Sequence, residues 1–313
     1  MIVASAEDVR RCLTMTKAIE LVAKAMVAVS AGKANLPLRT AMDIDGVNRL
    51  GIMPGVLGEV YGVKLISLFP GNPAKGLSSH IGAMVLFDPA TGAPSAMVDA
   101  DALTAIRTAA ASAVATRALA REGAETLAII GTGEQALSHI EAMCAVRGIC
   151  TVQIAGRSYE RAKNFVSNVK SHFPALRFSA CKTAEAAVDG ADIICTVTSS
   201  STPVLQGAWV GAGAHINAVG ASVPSMQEID EAVLHKARVF TDYRPSALAQ
   251  AREIMEAIEA GRMEEGVILA EIGEVLAGRV QGRLSAADIT LYRSLGIAAQ
   301  DLICADFVRQ QLG

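Results

Sequence analysis

Three groups of residues have types and spacings that suit chemistry. The first is Gly131-Thr132-Gly133-Glu134-Gln135-Ala136, which follows the apolar run Thr-Leu-Ala-Ile-Ile and leads into a helical pattern. Gly131 permits a tight turn, Gly133 lets the backbone approach a pyrophosphate, and Ala136 is small enough for a helix to pack on its strand. The phosphates would rest on the helix N-terminus, where unpaired N–H groups point outward. Glycine pairs arise by chance in a chain with 27 glycines, so the strand and helix on either side give this pattern its meaning.

The second group is Gly156-Arg157-Ser158, at the end of the next apolar run, Thr-Val-Gln-Ile-Ala. A NAD-binding unit carries Asp or Glu there to hold the ribose 2'-hydroxyl. Here the carboxylate is missing, and a guanidinium and a hydroxyl are available to a 2'-phosphate, which points to NADP(H) with NAD(H) as the alternative. The ordinary reading makes Ser158 a helix cap and Arg157 a solvated turn residue. The third group is Arg39, Lys64 and Arg107, each in an unusual place: after Leu-Pro-Leu, inside Tyr-Gly-Val-Lys-Leu-Ile-Ser, and among alanines. Taken singly they read as a solvated sheet face or a snorkelling side chain. Together, ahead of a dinucleotide loop, they suggest a pocket for a small carboxylate, with Ser79 and His80 as further lining.

These residues need two kinds of scaffold. Residues 7–31 carry apolar positions at helical spacing, with Thr14 or Thr16 as a cap and Gly32 as the stop. Over 38–98, short β-type runs at 61–68, 81–87 and 95–98 alternate with glycine-proline turns such as 69–73, and 88–92 reads as a hairpin turn. This predicts a mainly antiparallel sheet. From 124 onward, strands at 126–130, 151–155, 176–179, 193–197, 215–219 and 238–241 alternate with helices, as in an open, mostly parallel, doubly wound sheet. Ligands lie at the ends of such strands, here Thr196-Val197-Thr198 and Val219-Gly220. Helices are predicted at 246–260, 266–276 and 295–311. The fold class is therefore α/β, a Rossmann domain beside an α+β domain with an antiparallel sheet.

A length of 313 residues suits two domains. A net charge of -3 without basic runs gives no footprint for nucleic acid or an anionic membrane. The apolar stretch 102–119 is interrupted by Arg107 and Arg117, which favours a buried helix over a membrane span. Glu7 and Asp8 precede any apolar run, unlike a signal peptide. The six cysteines are scattered without a C-x-x-C pair and the five histidines lack ligand spacing, so no metal is expected. A cytoplasmic protein is the simplest expectation.

Across nearly its whole length the chain resembles the ornithine cyclodeaminase and mu-crystallin family. The matching residues are Arg39 after Leu-Pro-Leu, Met53-Pro54, Val63-Lys64-Leu65, Phe69-Pro70-Gly71-Asn72, Ser79-His80, the run Thr104-Ala-Ile-Arg107-Thr108-Ala-Ala110, and Gly131-x-Gly133-x-Gln135-Ala136. Further on come Asp192-Ile-Ile-Cys-Thr-Val-Thr-Ser199, His215-Ile-Asn-Ala-Val-Gly-Ala-Ser222 with Pro224, Glu228-Ile-Asp230, Glu271-Ile-Gly-Glu274 and Ser294-Leu-Gly296 with Gln300-Asp301. The resemblance implies a substrate-binding and dimerisation domain, residues 1–118 with 294–313, around a Rossmann domain, 119–293, in a homodimer. It also implies that Arg39, Lys64 and Arg107 hold the carboxylate of an amino or imino acid, with Met53 nearby, and that Arg107 and Thr108 also reach the cofactor.

One position separates the activities within the family. Cyclodeaminases carry an aspartate base where this chain has Ser222, and a hydroxyl with no adjacent base is a poor proton acceptor. Ser222 matches the form seen in ketimine reductases. The expectation is NAD(P)H-dependent reduction of Δ1-pyrroline-2-carboxylate or Δ1-piperideine-2-carboxylate to the L-amino acid, with Lys64 donating or relaying a proton. Ser222 would bond the imine nitrogen, and Asp301 would orient one of the cations. The alternatives are an ornithine cyclodeaminase that recycles NAD and a cofactor-binding, crystallin-like protein without turnover.

Overall fold

The computed structural model describes residues 1–313, the side chains of Pro73 and Ala74 excepted. Two compact units emerge, Met1–Ala110 with Gly296–Gly313, and Ala111–Leu295.

The first unit opens with a short strand, β1 (Ile2–Ala4), followed by two helices, α1 (Ala6–Cys12) and α2 (Met15–Ser30). Ser5 and Thr14 start the helices by accepting bonds from Asp8 N–H and Lys17 N–H, and the Asp8 carboxylate in turn accepts from Ser5 N–H. The sheet then adds β2 (Ala34–Asn35), β3 (Thr40–Asp43), β4 (Arg49–Leu57), β5 (Val60–Leu68), β6 (His80–Phe87) and β7 (Pro94–Asp99). Its order is β1-β7-β6-β5-β4-β2, with β3 also on β4. All pairings are antiparallel except that of β7 with β1, a strand the sequence pattern does not mark.

The turn expected at 88–92 is there: Asp88 accepts from Ala90 N–H and Thr91 N–H, and Gly92 takes φ 72. The turn expected at 69–73 runs into a 3-10 turn at Asn72–Lys75, and the side chain of its last residue, Pro73, lies outside the described atoms. After the sheet, α3 (Ala100–Leu119) starts where Asp99 accepts from Ala102 N–H. The C-terminal helix Ala298–Leu312 returns to this unit and lies on one face of β4 and β5. Gly55 permits this, since a Cβ there would come within 2.9 Å of the Ala298 Cβ.

The second unit is an eight-stranded, wholly parallel sheet. Its strands are β8 (Thr126–Ile130), β9 (Thr151–Ala155), β10 (Arg177–Ala180), β11 (Ile193–Thr196), β12 (His215–Ala218), β13 (Ala237–Thr241), β14 (Ile268–Glu271) and β15 (Ile289–Arg293), in the order β10-β9-β8-β11-β12-β15-β13-β14. The direction of winding reverses between β8 and β11, so a crevice opens beyond their carboxyl ends. Helices α4 (Glu134–Cys144) and α5 (Tyr159–Val169) follow β8 and β9. Ala128, Ile130, Ile194, Ile216, Val239 and Leu291 form the buried centre, as expected of a parallel sheet covered on both faces.

Two expected helices differ from the structure, and one strand is new. The segment 266–276 is not one helix but β14 followed by a five-residue helix, Ile272–Leu276. The helix expected at 246–260 is two, Arg244–Gln250 and Arg252–Glu259, broken at Ala251, whose ψ of 98 leaves the helical region. Strand β15 is an addition to the strands that the sequence pattern marks. Among the described residues, no helix is long and apolar enough to cross a membrane.

Candidate active site

In the first unit, strand pairing and the returning helix gather the expected cations. Lys64 sits in the middle of β5, opposite Met53 on β4, so the two side chains share a sheet face. That face is covered by the C-terminal helix, whose first turn carries Asp301. Lys64 Nζ donates to Asp301 Oδ1 at 3.0 Å, and Arg107 Nε donates to the same oxygen at 2.9 Å. Arg107 Nη1 also donates to Gln300 Oε1 at 2.8 Å. Arg39 donates to the carbonyl of Gly296. Gly296 has φ 74, and a Cβ on it would stand 2.8 Å from Arg107 Nη1, so this position has room only for glycine.

The electrostatics follow from this arrangement. Lys64, Arg107 and Asp301 are 2%, 5% and 0% exposed, and Arg39 is half-buried. Three cations gather near one carboxylate, which leaves a positive excess in a place with little water and favours an anion. Burial, reinforced by the neighbouring Arg107, pulls the Lys64 ammonium down to about 7, while Asp301 resists that fall. Burial alone would push the Asp301 carboxyl up, but Arg107 and Lys64 outweigh it and hold it below the usual range. Asp301 Oδ2 is buried without a hydrogen-bond partner. Ser79 and His80 lead into β6, with Ser79 Oγ 2.8 Å from His80 Nδ1. His80 pairs with Leu68, four residues along from Lys64, and so lies on the same face. Thr108 is buried beside Arg107 on α3.

The second unit carries the glycine loop. Gly131 has φ 126, and a Cβ there would stand 2.7 Å from the Val197 carbonyl oxygen. Gly133, at the start of α4, has open space where a side chain would be and no side chain caps the helix, so its first N–H groups face outward. Ala136 is fully buried beneath them. At the end of β9, a Cβ on Gly156 would meet Thr132 Cγ2 at 2.9 Å, so a side chain at this position would press on the Thr132 side chain of the glycine loop. Arg157 is exposed, and Ser158 caps α5 by accepting from Arg161 N–H at 3.3 Å. A glycine cradle, an open helix N-terminus and an exposed guanidinium fit a dinucleotide. Thr132, Glu134 and Gln135 complete the loop; Thr196, Val197, Thr198, Val219 and Gly220 lie at the ends of β11 and β12, and half-buried Ser222 follows.

Two residues without an expected role stand out. Gln300 fixes the far arm of Arg107, and Glu228 is a buried carboxylate bonded to Thr196, Thr198, Gly220 and Ala221. Both occur in short motifs, but nothing local marks them as buried.

Comparison with known proteins places the chain among relatives of similar length and fold. The sequence model of the ornithine cyclodeaminase/mu-crystallin family matches residues 1–313. A Δ1-pyrroline-2-carboxylate reductase of Bacillus cereus is 36% identical over 317 residues, covering 99% of this chain and 96% of that protein. The solved structure of a Thermococcus litoralis Δ1-pyrroline-2-carboxylate reductase in complex with NADH and L-proline superposes with a TM-score of 0.95 at 33% identity, covering 99% of this chain and 97% of that one. An archaeal alanine dehydrogenase dimer with bound NAD gives a TM-score of 0.92 at 34% identity, with 99% and 95% covered.

Proposed function

The chain belongs to the ornithine cyclodeaminase/mu-crystallin family, and on that premise we propose that it reduces a small cyclic 2-imino acid to the L-amino acid with NAD(P)H. The substrates in view are Δ1-pyrroline-2-carboxylate and Δ1-piperideine-2-carboxylate. The observation that carries this reading is the shared carboxylate of Asp301, which holds Lys64 and Arg107 side by side in a buried, net positive site.

In this account the substrate carboxylate takes the place that the cationic excess favours, forked by Arg107 and met by Arg39. Asp301 and Gln300 fix Arg107 from behind, so its guanidinium does not have to be ordered when the substrate arrives. Reduced nicotinamide, when bound, supplies the hydride that adds to the C=N carbon. The nitrogen then needs a proton, and Lys64 supplies it: with a value of about 7, it is protonated in part of the population at neutral pH and still able to release the proton. Ser222 is assigned to the imine nitrogen on its residue type and motif position alone.

The resident cofactor is proposed to be NADP(H) in preference to NAD(H). The Thermococcus reductase holds NADH and the archaeal dehydrogenase NAD, so this preference rests on Gly156 and Arg157 of this chain: no carboxylate to repel a 2'-phosphate, and an exposed guanidinium to receive it. We also propose a cytoplasmic location and, by analogy with the dimeric alanine dehydrogenase, a homodimer; light scattering of the purified protein checks the assembly. The function is tested by NADPH oxidation at neutral pH with each imino acid, beside ammonia release from ornithine with catalytic NAD. Reduction without ammonia release is expected. Robust ammonia release would show that the reading of Ser222 is wrong.

A further inference from the structure

The loops after β11 and β12 are not joined by backbone pairing alone, because both turn about one buried side chain. Glu228 is 1% exposed, and its two oxygens accept five hydrogen bonds. Oε1 receives Thr198 N–H at 2.6 Å and Thr198 Oγ1 at 2.8 Å. Oε2 receives Thr196 Oγ1 at 3.0 Å, Gly220 N–H at 2.6 Å and Ala221 N–H at 3.1 Å. Three of these donors are backbone amides just beyond the strand ends, and of these Gly220 N–H is shared with the Thr196 carbonyl at 3.2 Å.

The anchor itself is fixed. The Glu228 carbonyl accepts Val204 N–H at 2.8 Å and Leu205 N–H at 2.9 Å, and Gln227 N–H reaches the Ser200 carbonyl at 2.9 Å. The two turns are also in close contact: a Cβ on Gly220 would lie 1.9 Å from the Thr198 carbonyl oxygen. A side chain at position 220 therefore has no room between the two turns.

We infer that Glu228 is a positioning residue for the nicotinamide half of the cofactor site, acting through the backbone of Thr198 and of Gly220-Ala221, the turn that leads into Ser222. This rests on the proposed function, because these loops border the crevice assigned to the dinucleotide. Every donor that meets Glu228 needs an acceptor. An amide at this position presents an NH2 toward N–H groups on one side, so a glutamine of the same size loses bonds on one loop and adds a repulsive contact. Thr196 offers a milder probe: it is fully buried, its hydroxyl is engaged by Glu228, and valine keeps its shape.

The test uses the full-length protein and direct binding. NADPH and NADH affinities are measured by cofactor fluorescence for wild type, Glu228→Gln and Thr196→Val, with melting temperature and the KM for Δ1-pyrroline-2-carboxylate alongside. The expected result is a rise in the cofactor Kd of at least tenfold in Glu228→Gln and severalfold in Thr196→Val, with kcat reduced and the KM for the imino acid within about twofold of wild type. Cofactor affinity equal to wild type in a folded Glu228→Gln overturns the inference, as does an equal loss of cofactor and imino-acid affinity, which marks a general structural role. Should Glu228→Gln fail to fold, unchanged cofactor affinity in Thr196→Val overturns it alone. Wild-type protein that binds neither dinucleotide refutes the functional reading itself, a distinct outcome.

Discussion

Lys64 and Asp301 lie 237 positions apart in the sequence, yet Lys64 Nζ and Asp301 Oδ1 meet at 3.0 Å in a buried site. The helix that carries the aspartate approaches the sheet closely at Gly55, on the strand next to the one that carries the lysine. The same oxygen holds Arg107, so the positions of two cations depend on one carboxylate.

Asp301→Asn should therefore disturb both. Its removal leaves two buried cations without a counter-charge, a loss of about 3–5 kcal/mol of stability for a broken buried pair, visible as a lowered denaturation midpoint. Because Asp301 resists the fall of the Lys64 value, its removal moves the pH-rate limb assigned to Lys64 to lower pH. A kcat/KM profile that keeps its wild-type limb would argue that Lys64 is not the proton donor.

Lys64 also predicts a pH dependence of folding. Its folded value of about 7 lies below the unfolded 10.5, so between these values the unfolded chain binds more protons and stability contributed by this group rises with pH. Urea melts at pH 7 and pH 9 should show this increment in wild type and lose it in Lys64→Met. An identical pH difference in both proteins would assign the effect elsewhere.

Arg107→Lys keeps the charge but loses both the bonds to Asp301 Oδ1 and Gln300 Oε1 that hold the side chain and the fork proposed for the substrate carboxylate. The KM for the imino acid should rise about tenfold to a hundredfold, the range expected for a lost bidentate contact. A KM within twofold of wild type would mean that point charge alone suffices.

Arg157→Ala should raise the KM for NADPH about tenfold or more and leave NADH nearly unchanged, as expected for loss of a charge-assisted bond to phosphate. Equal effects on both cofactors would refute the 2'-phosphate role of this exposed side chain.

Gly131→Ala should weaken both cofactors and lower stability by about 1–3 kcal/mol, since φ 126 is strained for any residue with a Cβ and the Val197 carbonyl leaves no space for one. Calorimetry and cofactor titration on the same sample check this, and a melting curve like that of wild type would contradict it.

What the sequence made legible were features carried by local pattern. The glycine loop, the strand ends at Ala155 and Thr196, and the odd placement of Lys64 and Arg107 all stand out against their neighbours. Strand β15 did not, because Thr290 and Arg293 interrupt its apolar run, and both are nonetheless buried, Arg293 by pairing with Glu253. Strand β14 and the helix after it are each only four or five residues long, and together they imitate one helical pattern. Glu228 illustrates the deeper limit. Its partners are donors up to 32 positions away, and a glutamate between Gln227 and Ile229 looks like a solvated one until the loops are seen to close on it.

Reduction of a cyclic imino acid is read out by NADPH oxidation by the purified protein at neutral pH with Δ1-pyrroline-2-carboxylate and Δ1-piperideine-2-carboxylate, with the product identified by chiral chromatography. Stoichiometric formation of L-proline or L-pipecolate is expected with at least one of them. No turnover with either ring size, in a protein that binds the cofactor, would contradict it.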